Sequence, residues 1–89
     1  MIEFDEKKRQ TTLTERGLDF VDAKLVFEGE HITLQDIRKD YPEARYITAG
    51  YLRGRFVIVG WCWRAQNRRV FTMRYGHEKE ERKWKARVG

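Results

Sequence analysis

The segment from Arg55 to Tyr75, RFVIVGWCWRAQNRRVFTMRY, predicts two neighbouring strands of an antiparallel sheet. Its first half contains Phe56 to Val59, where every residue is apolar, as expected of a central strand that is covered on both faces. The loop Ala65-Gln66-Asn67-Arg68 separates the two strands, and Asn67 is the residue in it that tolerates left-handed geometry. The second predicted strand runs from Arg69 to Tyr75.

Alternation along this second strand predicts which side chains share a face. Val70, Thr72 and Arg74 fall on one face, and Phe71 and Met73 fall on the other. If Phe71 and Met73 point into the core, Arg74 lies on the open face of the sheet. That position suits a cation that contacts phosphate.

The rest of the chain predicts a single α+β domain spanning residues 1–89, with element order βααββββα. Gly17 ends the first helix, Asp19 caps the second, and Asp22 follows in its first turn. A turn lies near Arg53-Gly54. The predicted elements are a strand at Ile2–Phe4, a helix at Asp5–Arg16, a helix from Asp19 to about Glu28, strands at His31–Gln35, Arg45–Leu52, Arg55–Arg64 and Arg69–Tyr75, and a helix from about His77 to Arg87. Residues 36–44 form a polar connection.

Charge is distributed unevenly along the chain. Residues 1–44 contain seven Lys and Arg against eleven Asp and Glu, a net charge of −4, whereas residues 45–89 contain twelve against three, a net charge of +9. Clustered positive charge attracts polyanions and speeds encounter with them. The alternative is a solvated basic face with no partner.

Cysteine usage and hydropathy predict a cytoplasmic protein. Cys62 is the one cysteine, so no internal disulfide can form, and its position between two tryptophans favours a packing role. The N-terminus is charged almost at once, and the longest apolar run, Phe56 to Val59, is far too short to cross a bilayer. No membrane association is expected.

No metal site or cofactor is predicted. His31 and His77 lie far apart in sequence, no second cysteine exists, and no phosphate-binding glycine motif occurs. RNA nevertheless carries its own nucleophile, the 2′-hydroxyl, so side chains on a basic sheet could cleave it by proton transfer and charge stabilisation. The candidates for charge stabilisation are Arg45, Arg53, Arg55, Arg69 and Arg74, with Arg74 preferred.

The last helix could add a carboxylate and an aromatic ring beside Arg74. Glu80 and Trp84 are four residues apart and share a face, and His77 lies one turn before Glu80. The alternative is structural: Trp84 packs the helix onto the sheet, and Glu80 pairs with a neighbouring cation.

Three motifs in order resemble the BrnT toxins of bacterial type II toxin–antitoxin systems, the group once labelled DUF497. The resemblance covers nearly the whole chain. The matching residues are Phe4-Asp5, Lys8, Gly17-Leu18-Asp19-Phe20 and Val26-Phe27 in the first motif; Glu43-Ala44-Arg45-Tyr46, Gly50 and Gly54-Arg55 in the second; and Arg69 to Arg74, Glu80 and Trp84 in the third.

The resemblance implies a compact RelE-like fold and an endoribonuclease that blocks translation. It also implies neutralisation by a BrnA-like ribbon-helix-helix antitoxin, through which the complex binds operator DNA. It favours Lys8, Arg45, Arg69, Arg74 and Glu80 as site residues. Taken with the charge and helix-face arguments above, the predicted catalytic residues are Arg69, Arg74 and Glu80, with Glu80 as general base. The predicted RNA-binding residues are Lys8, Arg16, Arg45, Arg53, Arg55 and Trp84.

Two positions depart from the family pattern. Members usually show Lys-His before the glycine, where this chain has Glu15-Arg16, and the final aromatic is commonly Tyr, where this chain has Trp84. These departures support an alternative, a catalytically impaired member that only binds its antitoxin and assists repression. A further alternative is a non-enzymatic module that binds single-stranded RNA.

Overall fold

The computed structural model describes residues 1–88 and confirms the predicted order of elements. A short 3₁₀ turn, Phe20–Asp22, leads directly into the second helix. The elements are β1 (Ile2–Glu3), α1 (Glu6–Arg16), α2 (Ala23–Glu28), β2 (His31–Gln35), β3 (Tyr46–Leu52), β4 (Arg55–Arg64), β5 (Asn67–Tyr75) and α3 (Glu78–Val88).

The five strands form one sheet in the order β1-β5-β4-β3-β2. Strands β2 to β5 are antiparallel, as predicted, but β1 pairs in parallel with β5, so the sheet is mixed. The prediction of a wholly antiparallel sheet was wrong for β1. Hairpins enforce antiparallel pairing only between strands that are neighbours in sequence, whereas β1 reaches the edge of the sheet from the other end of the chain.

Strand β4 lies at the centre of the sheet and is apolar on both faces, as predicted. Val57 and Val59 point into the main core, which also contains Phe20, Ala23 and Val26 from the 3₁₀ turn and α2. Phe56 and Ile58 point to the opposite face, where they form a smaller cluster with Ala49. Ile47 and Trp84 pack against this second cluster, so α3 lies on the face opposite to α2.

The predicted helix boundaries are supported by local contacts. Gly17 has a φ of 70°, and its N–H donates to Leu13 at the end of α1. The Asp19 carboxylate accepts the Val21 N–H at 3.0 Å and binds Arg9 through two hydrogen bonds of 2.8 and 3.0 Å. This ion pair ties α1 to the start of the next helical segment.

Both hairpin turns contain residues with positive φ. Arg53 and Gly54 have φ values of 49° and 82°, as a two-residue turn with left-handed residues at both positions requires. In the next turn the left-handed residue is Ala65, with a φ of 56°. The prediction that Asn67 would supply this geometry was therefore wrong, because Asn67 already belongs to β5 and pairs with Arg64.

A β-bulge in β5 changes the predicted alternation. Gly60 pairs with Thr72 and Trp61 with Val70, so Phe71 is an extra residue without a partner in β4. As a result Val70 and Met73 both lie in the main core. The prediction that Val70 shares a face with Thr72 and Arg74, and Phe71 with Met73, was wrong because simple alternation does not survive a bulge.

The bulge depends on the missing side chain at Gly60. A Cβ atom there would lie 2.5 Å from Thr72 Cγ2 and 3.1 Å from Phe71 Cε1. We therefore expect Gly60→Ala to lower the free energy of unfolding by about 1–3 kcal/mol, the usual cost of overpacking. Urea denaturation at neutral pH measures this change.

Gly29→Ala is the matched control, because its Cβ would meet only the Leu25 carbonyl oxygen, at 3.6 Å, and Gly29 has a φ of −95°. The same small stability change in both variants would contradict the role assigned to Gly60.

Candidate functional site

The predicted site residues of β5 lie on one surface, which we call the arginine face. It is the sheet surface that carries Arg45, Arg69, Phe71, Thr72 and Arg74. Arg69 pairs with Cys62 and Arg74 with Ile58, and these two positions of β4 are four residues apart, so both arginines point to the same side. The face is opposite to the main core.

Glu80 holds Arg74 in place at one end of the arginine face. Arg74 Nη1 donates to Glu80 Oε1 at 2.9 Å and Nη2 donates to Oε2 at 2.7 Å, a bidentate ion pair. Arg74 Nη1 also lies 3.3 Å from the Tyr75 carbonyl oxygen. No hydrogen bond from Arg74 Nε is found in the part of the chain that the structure describes, so one edge of the guanidinium is available.

The backbone at the start of α3 helps to hold the Glu80 side chain in place. Glu80 is the third residue of α3, and its carboxylate accepts the backbone N–H of His77, just before the helix, at 2.9 Å. This is the carboxylate half of a capping box. Hydrogen bonds from Arg74 and from the His77 backbone lower the pKa of Glu80 to about 2, and the same ion pair raises the pKa of Arg74.

Arg45 lies between two aromatic rings. Its guanidinium carbon is 4.4 Å from the centre of the Tyr41 ring and 4.8 Å from the centre of the Phe71 ring. Its Nε atom is buried and has no hydrogen-bond partner among residues 1–88. Both rings therefore fix the guanidinium by cation–π contacts rather than by an ion pair.

The loop between β2 and β3 is organised around the buried carboxylate of Asp36. The Arg38 side chain donates two hydrogen bonds to it, of 2.9 and 2.8 Å, and the Arg38 backbone N–H donates a third, of 3.2 Å. The Tyr41 hydroxyl donates one more, of 3.2 Å. The Asp36 N–H in turn donates to the Arg45 carbonyl oxygen at 2.7 Å. These hydrogen bonds, Arg38 first, lower the pKa of Asp36. The loop thereby places Tyr41 over Arg45.

Arg69 is held by the edge strand. Its Nη1 atom lies 3.3 Å from Glu3 Oε1, and Asn67 Nδ2 donates to the other oxygen of Glu3 at 2.8 Å. The parallel pairing of β1 with β5 thus supplies the acid that orients Arg69.

Lys8 and Arg16 approach the arginine face from α1. Both line a cavity of about 480 Å³ between α1 and β5, together with Phe71 and Thr72. Arg16 Nη1 donates to the Met73 carbonyl oxygen at 3.0 Å, which fixes the end of α1 against β5. Lys8 and Arg16 therefore lie beside Phe71 and Thr72 of the arginine face.

Three predicted RNA-binding residues make contacts away from the site arginines. Arg53 is at a hairpin tip, 3.3 Å from Asp22, and Arg55 stacks 3.8 Å from the centre of the Tyr75 ring, on the side of the main core. Trp84 packs against the second cluster under α3. Arg53 and Arg55 are therefore outside the arginine face, whereas Trp84 is on the same side of the sheet but is used to pack α3.

Four residues of this region were missed by sequence reasoning: Asp36, Arg38, Tyr41 and Phe71. The loop residues carry no helical or strand periodicity, and their contacts depend on how the loop closes. Phe71 was assigned to the core by alternation. Arg38 is close enough that its charge opposes the rise in the pKa of Arg74, which no spacing in the sequence indicates.

Comparison with known families shows to which family the chain belongs. A model of the family described as the ribonuclease toxin, BrnT, of type II toxin–antitoxin systems matches residues 4–80. The chain belongs to the BrnT family. The resemblance noted in the sequence is thereby confirmed. Members of this family are ribonuclease toxins that pair with an antitoxin. The matched segment of this BrnT chain includes Lys8, Arg45, Arg69, Arg74 and Glu80, whereas Trp84 lies beyond it.

A search of curated proteins found none that matches this BrnT chain. Over residues 1–88, no helix is long and apolar enough to cross a membrane.

The Arg74–Glu80 pair makes the stability of the fold depend on pH. The folded-state pKa of Glu80, about 2, lies below its ordinary value of 4.5. The stabilising contribution is therefore complete above about pH 4.5 and is lost as the pH falls towards 2. We expect Glu80→Gln to lower the free energy of unfolding by about 1 kcal/mol at pH 7, because both side chains are partly exposed.

Urea denaturation of both proteins from pH 7 to pH 2 tests this expectation, and the difference between them should shrink towards zero at the acid end. Glu28→Gln is the control, since Glu28 is exposed and forms no ion pair within the described residues. A difference between wild type and Glu80→Gln that does not change with pH would contradict the assignment.

Proposed function

We propose that this chain is a metal-independent endoribonuclease that inhibits translation by cleaving RNA. The observation that carries the proposal is Arg74, which Glu80 holds on the arginine face while its Nε–H forms no hydrogen bond with the described part of the chain. A guanidinium that is fixed at one edge and available at the other can bind a phosphate with two parallel hydrogen bonds. Family membership supports ribonuclease activity in general.

The chemistry that fits this face is transfer of the phosphodiester to the RNA's own 2′-hydroxyl. The attacking oxygen, the leaving oxygen and the pentavalent phosphate all need charge stabilisation, and fixed cations supply it without reorganisation during the reaction. In this proposal Arg74 contacts the scissile phosphate and Arg45 and Arg69 contact the neighbouring backbone.

The role proposed for Glu80 differs from that of a general base. A carboxylate with a pKa of about 2 is a weak proton acceptor at neutral pH, and its two oxygens already accept hydrogen bonds from Arg74. We therefore assign Glu80 the positioning of Arg74. His77 lies beside the pair, and imidazole is the commonest proton-transfer group in enzymes, so His77 is our candidate for that step.

The proposed partner is a BrnA-like ribbon-helix-helix antitoxin, which would neutralise the toxin and carry the complex to operator DNA. Membership of a type II toxin family supports an antitoxin partner. We expect the gene for this chain to adjoin a short reading frame that encodes a ribbon-helix-helix protein. Co-expression of that protein should abolish growth arrest and yield a stable complex on size exclusion; no association would contradict this identity of the partner.

A second candidate function is antitoxin binding without catalysis. The specific observation in its favour is Trp84, which has no phenol and packs into the second cluster where the family commonly has tyrosine. Harmless expression with tight antitoxin binding would favour this function over cleavage.

Arg74→Ala tests the proposed catalytic function directly. We expect cleavage of a defined single-stranded RNA in EDTA to fall by about 100-fold or more, the usual effect of removing a charge-stabilising donor from an active site. Arg74→Lys should recover only part of the rate, because lysine cannot form the bidentate contact. Gel analysis of end-labelled RNA measures both rates.

Arg82→Ala is the matched control, because Arg82 is an exposed arginine of α3 whose one ion pair among the described residues is with Glu78, at 3.8 Å. Equal cleavage by Arg74→Ala and Arg82→Ala would remove Arg74 from the site. RNA retention that weakens with salt, without cleavage by the wild type, would indicate a binding module instead.

A further inference from the structure

The cavity between α1 and β5 has the features of a nucleobase site. We call it the α1–β5 cleft; it is lined by Lys8, Thr12, Glu15, Arg16, Phe71 and Thr72, among others, and has a volume of about 480 Å³. This volume is within the range of small-molecule sites. The cleft is lined by residues of α1 and by Phe71 and Thr72 of β5, which belong to the arginine face.

Phe71 supplies an aromatic surface that the core does not use. The bulge turns Phe71 away from the main core, and in the part of the chain that the structure describes neither hydrophobic cluster includes it. Arg45 covers one side of the ring at 4.8 Å, and the ring also lines the α1–β5 cleft. A half-buried aromatic ring beside fixed cations is the usual platform for an unpaired base.

Glu15 supplies an acceptor in a cleft whose other charged lining residues are Asp5, Lys7, Lys8 and Arg16. It is exposed on α1, lines the cleft, and forms no hydrogen bond or ion pair with the residues described. A carboxylate has acceptors but no donors, so it binds base edges that carry N–H groups and disfavours those that carry only oxygen at the facing position. Guanine presents two adjacent donors, at N1 and at its exocyclic amine, that match both oxygens of a carboxylate.

We propose that the α1–β5 cleft binds one unpaired guanine of the RNA, with the base against Phe71 and its Watson–Crick edge at Glu15. This inference rests on the proposed function, in that it names the base recognised beside the cleavage site. Lys8 and Arg16 contact the phosphates of this nucleotide. Thr72 lines the cleft and Arg74 is two residues further along β5, about 7 Å away, so base recognition and phosphate contact occur side by side.

Binding is measured separately from cleavage by using RNA without a 2′-hydroxyl nucleophile. The ligands are fluorescein-labelled pentanucleotides, fully 2′-fluoro-substituted, of sequence UUXUU, where X is guanine, hypoxanthine or uracil. Hypoxanthine keeps the N1–H donor of guanine and lacks its exocyclic amine. Fluorescence anisotropy at fixed salt gives the dissociation constants.

We expect the wild type to bind the guanine ligand about tenfold more tightly than the uracil ligand, with hypoxanthine intermediate. Glu15→Gln should reduce the guanine preference to about twofold or less, because the amide offers one acceptor and adds a donor suited to uracil. Phe71→Leu should weaken binding of all three ligands by about tenfold and leave their ranking unchanged. Glu28→Gln, an exposed acid of α2, should change neither quantity.

The result that overturns the inference is equal binding of the three ligands by the wild type, or a guanine preference that survives in Glu15→Gln. Thermal denaturation of each variant confirms that it is folded. Cleavage of unmodified RNA is assayed in parallel: cleavage without base preference removes the guanine site and keeps the nuclease, whereas base preference without cleavage does the reverse. Absence of both binding and cleavage overturns both proposals.

Discussion

The bulge opposite Gly60 determines which side chains of β5 face solvent. Without it, strict alternation would place either Val70 or Met73 outside the core, and each is completely or almost completely buried. The extra residue, Phe71, lets both reach the main core from one strand. Glycine at position 60 is what makes the extra residue sterically acceptable, since Phe71 and Thr72 lie directly over it. Gly60 therefore matters both for the burial of Val70 and Met73 in the core and for the placement of Phe71 on the arginine face.

The acidic and basic side chains that are separated along the sequence are mixed in the folded structure. The acidic first half and basic second half do not form separate surfaces, because acids from the first half pair with arginines from the second: Glu3 with Arg69, and Asp22 with Arg53. Each such pair reduces the field that a distant polyanion would experience. Arg45 forms no ion pair among the described residues and is held by aromatic rings instead, so its charge is less compensated.

Sequence reasoning predicted the element order and most of the boundaries because turn residues and apolar runs are local signals. It also proposed Lys8, Arg16, Arg45, Arg69, Arg74 and Glu80 as site residues, and in the structure they lie on or beside the arginine face. Sequence reasoning did not separate Arg53 and Arg55 from these site residues. The face on which a residue beside a hairpin turn lies depends on the register of the two strands.

The remaining errors concern features that arise only after folding. A bulge requires two strands in register, and the contacts of Asp36 with Arg38 and Tyr41 require a closed loop. The parallel placement of β1 depends on packing between chain ends, where Ile2 joins the main core. No periodicity or turn residue in β1 specifies its direction, because pairing between distant segments is decided by tertiary contacts. These are the features that orient Arg69 and Arg45.

The Arg74–Glu80 pair has to satisfy two opposing demands. An ion pair that is too strong would keep the guanidinium from any other anion, whereas an unpaired arginine would lose side-chain entropy each time it was ordered. Here the carboxylate is bound by Nη1 and Nη2, and its fixed position comes from the His77 N–H at the start of α3. The Arg74 side chain is therefore already ordered when the chain has folded. Its Nε–H still forms no hydrogen bond with the described residues. In the proposed function, Arg74 accepts a phosphate through Nε–H and the second Nη2 hydrogen without first releasing its carboxylate, because Glu80 uses only one hydrogen of each Nη atom.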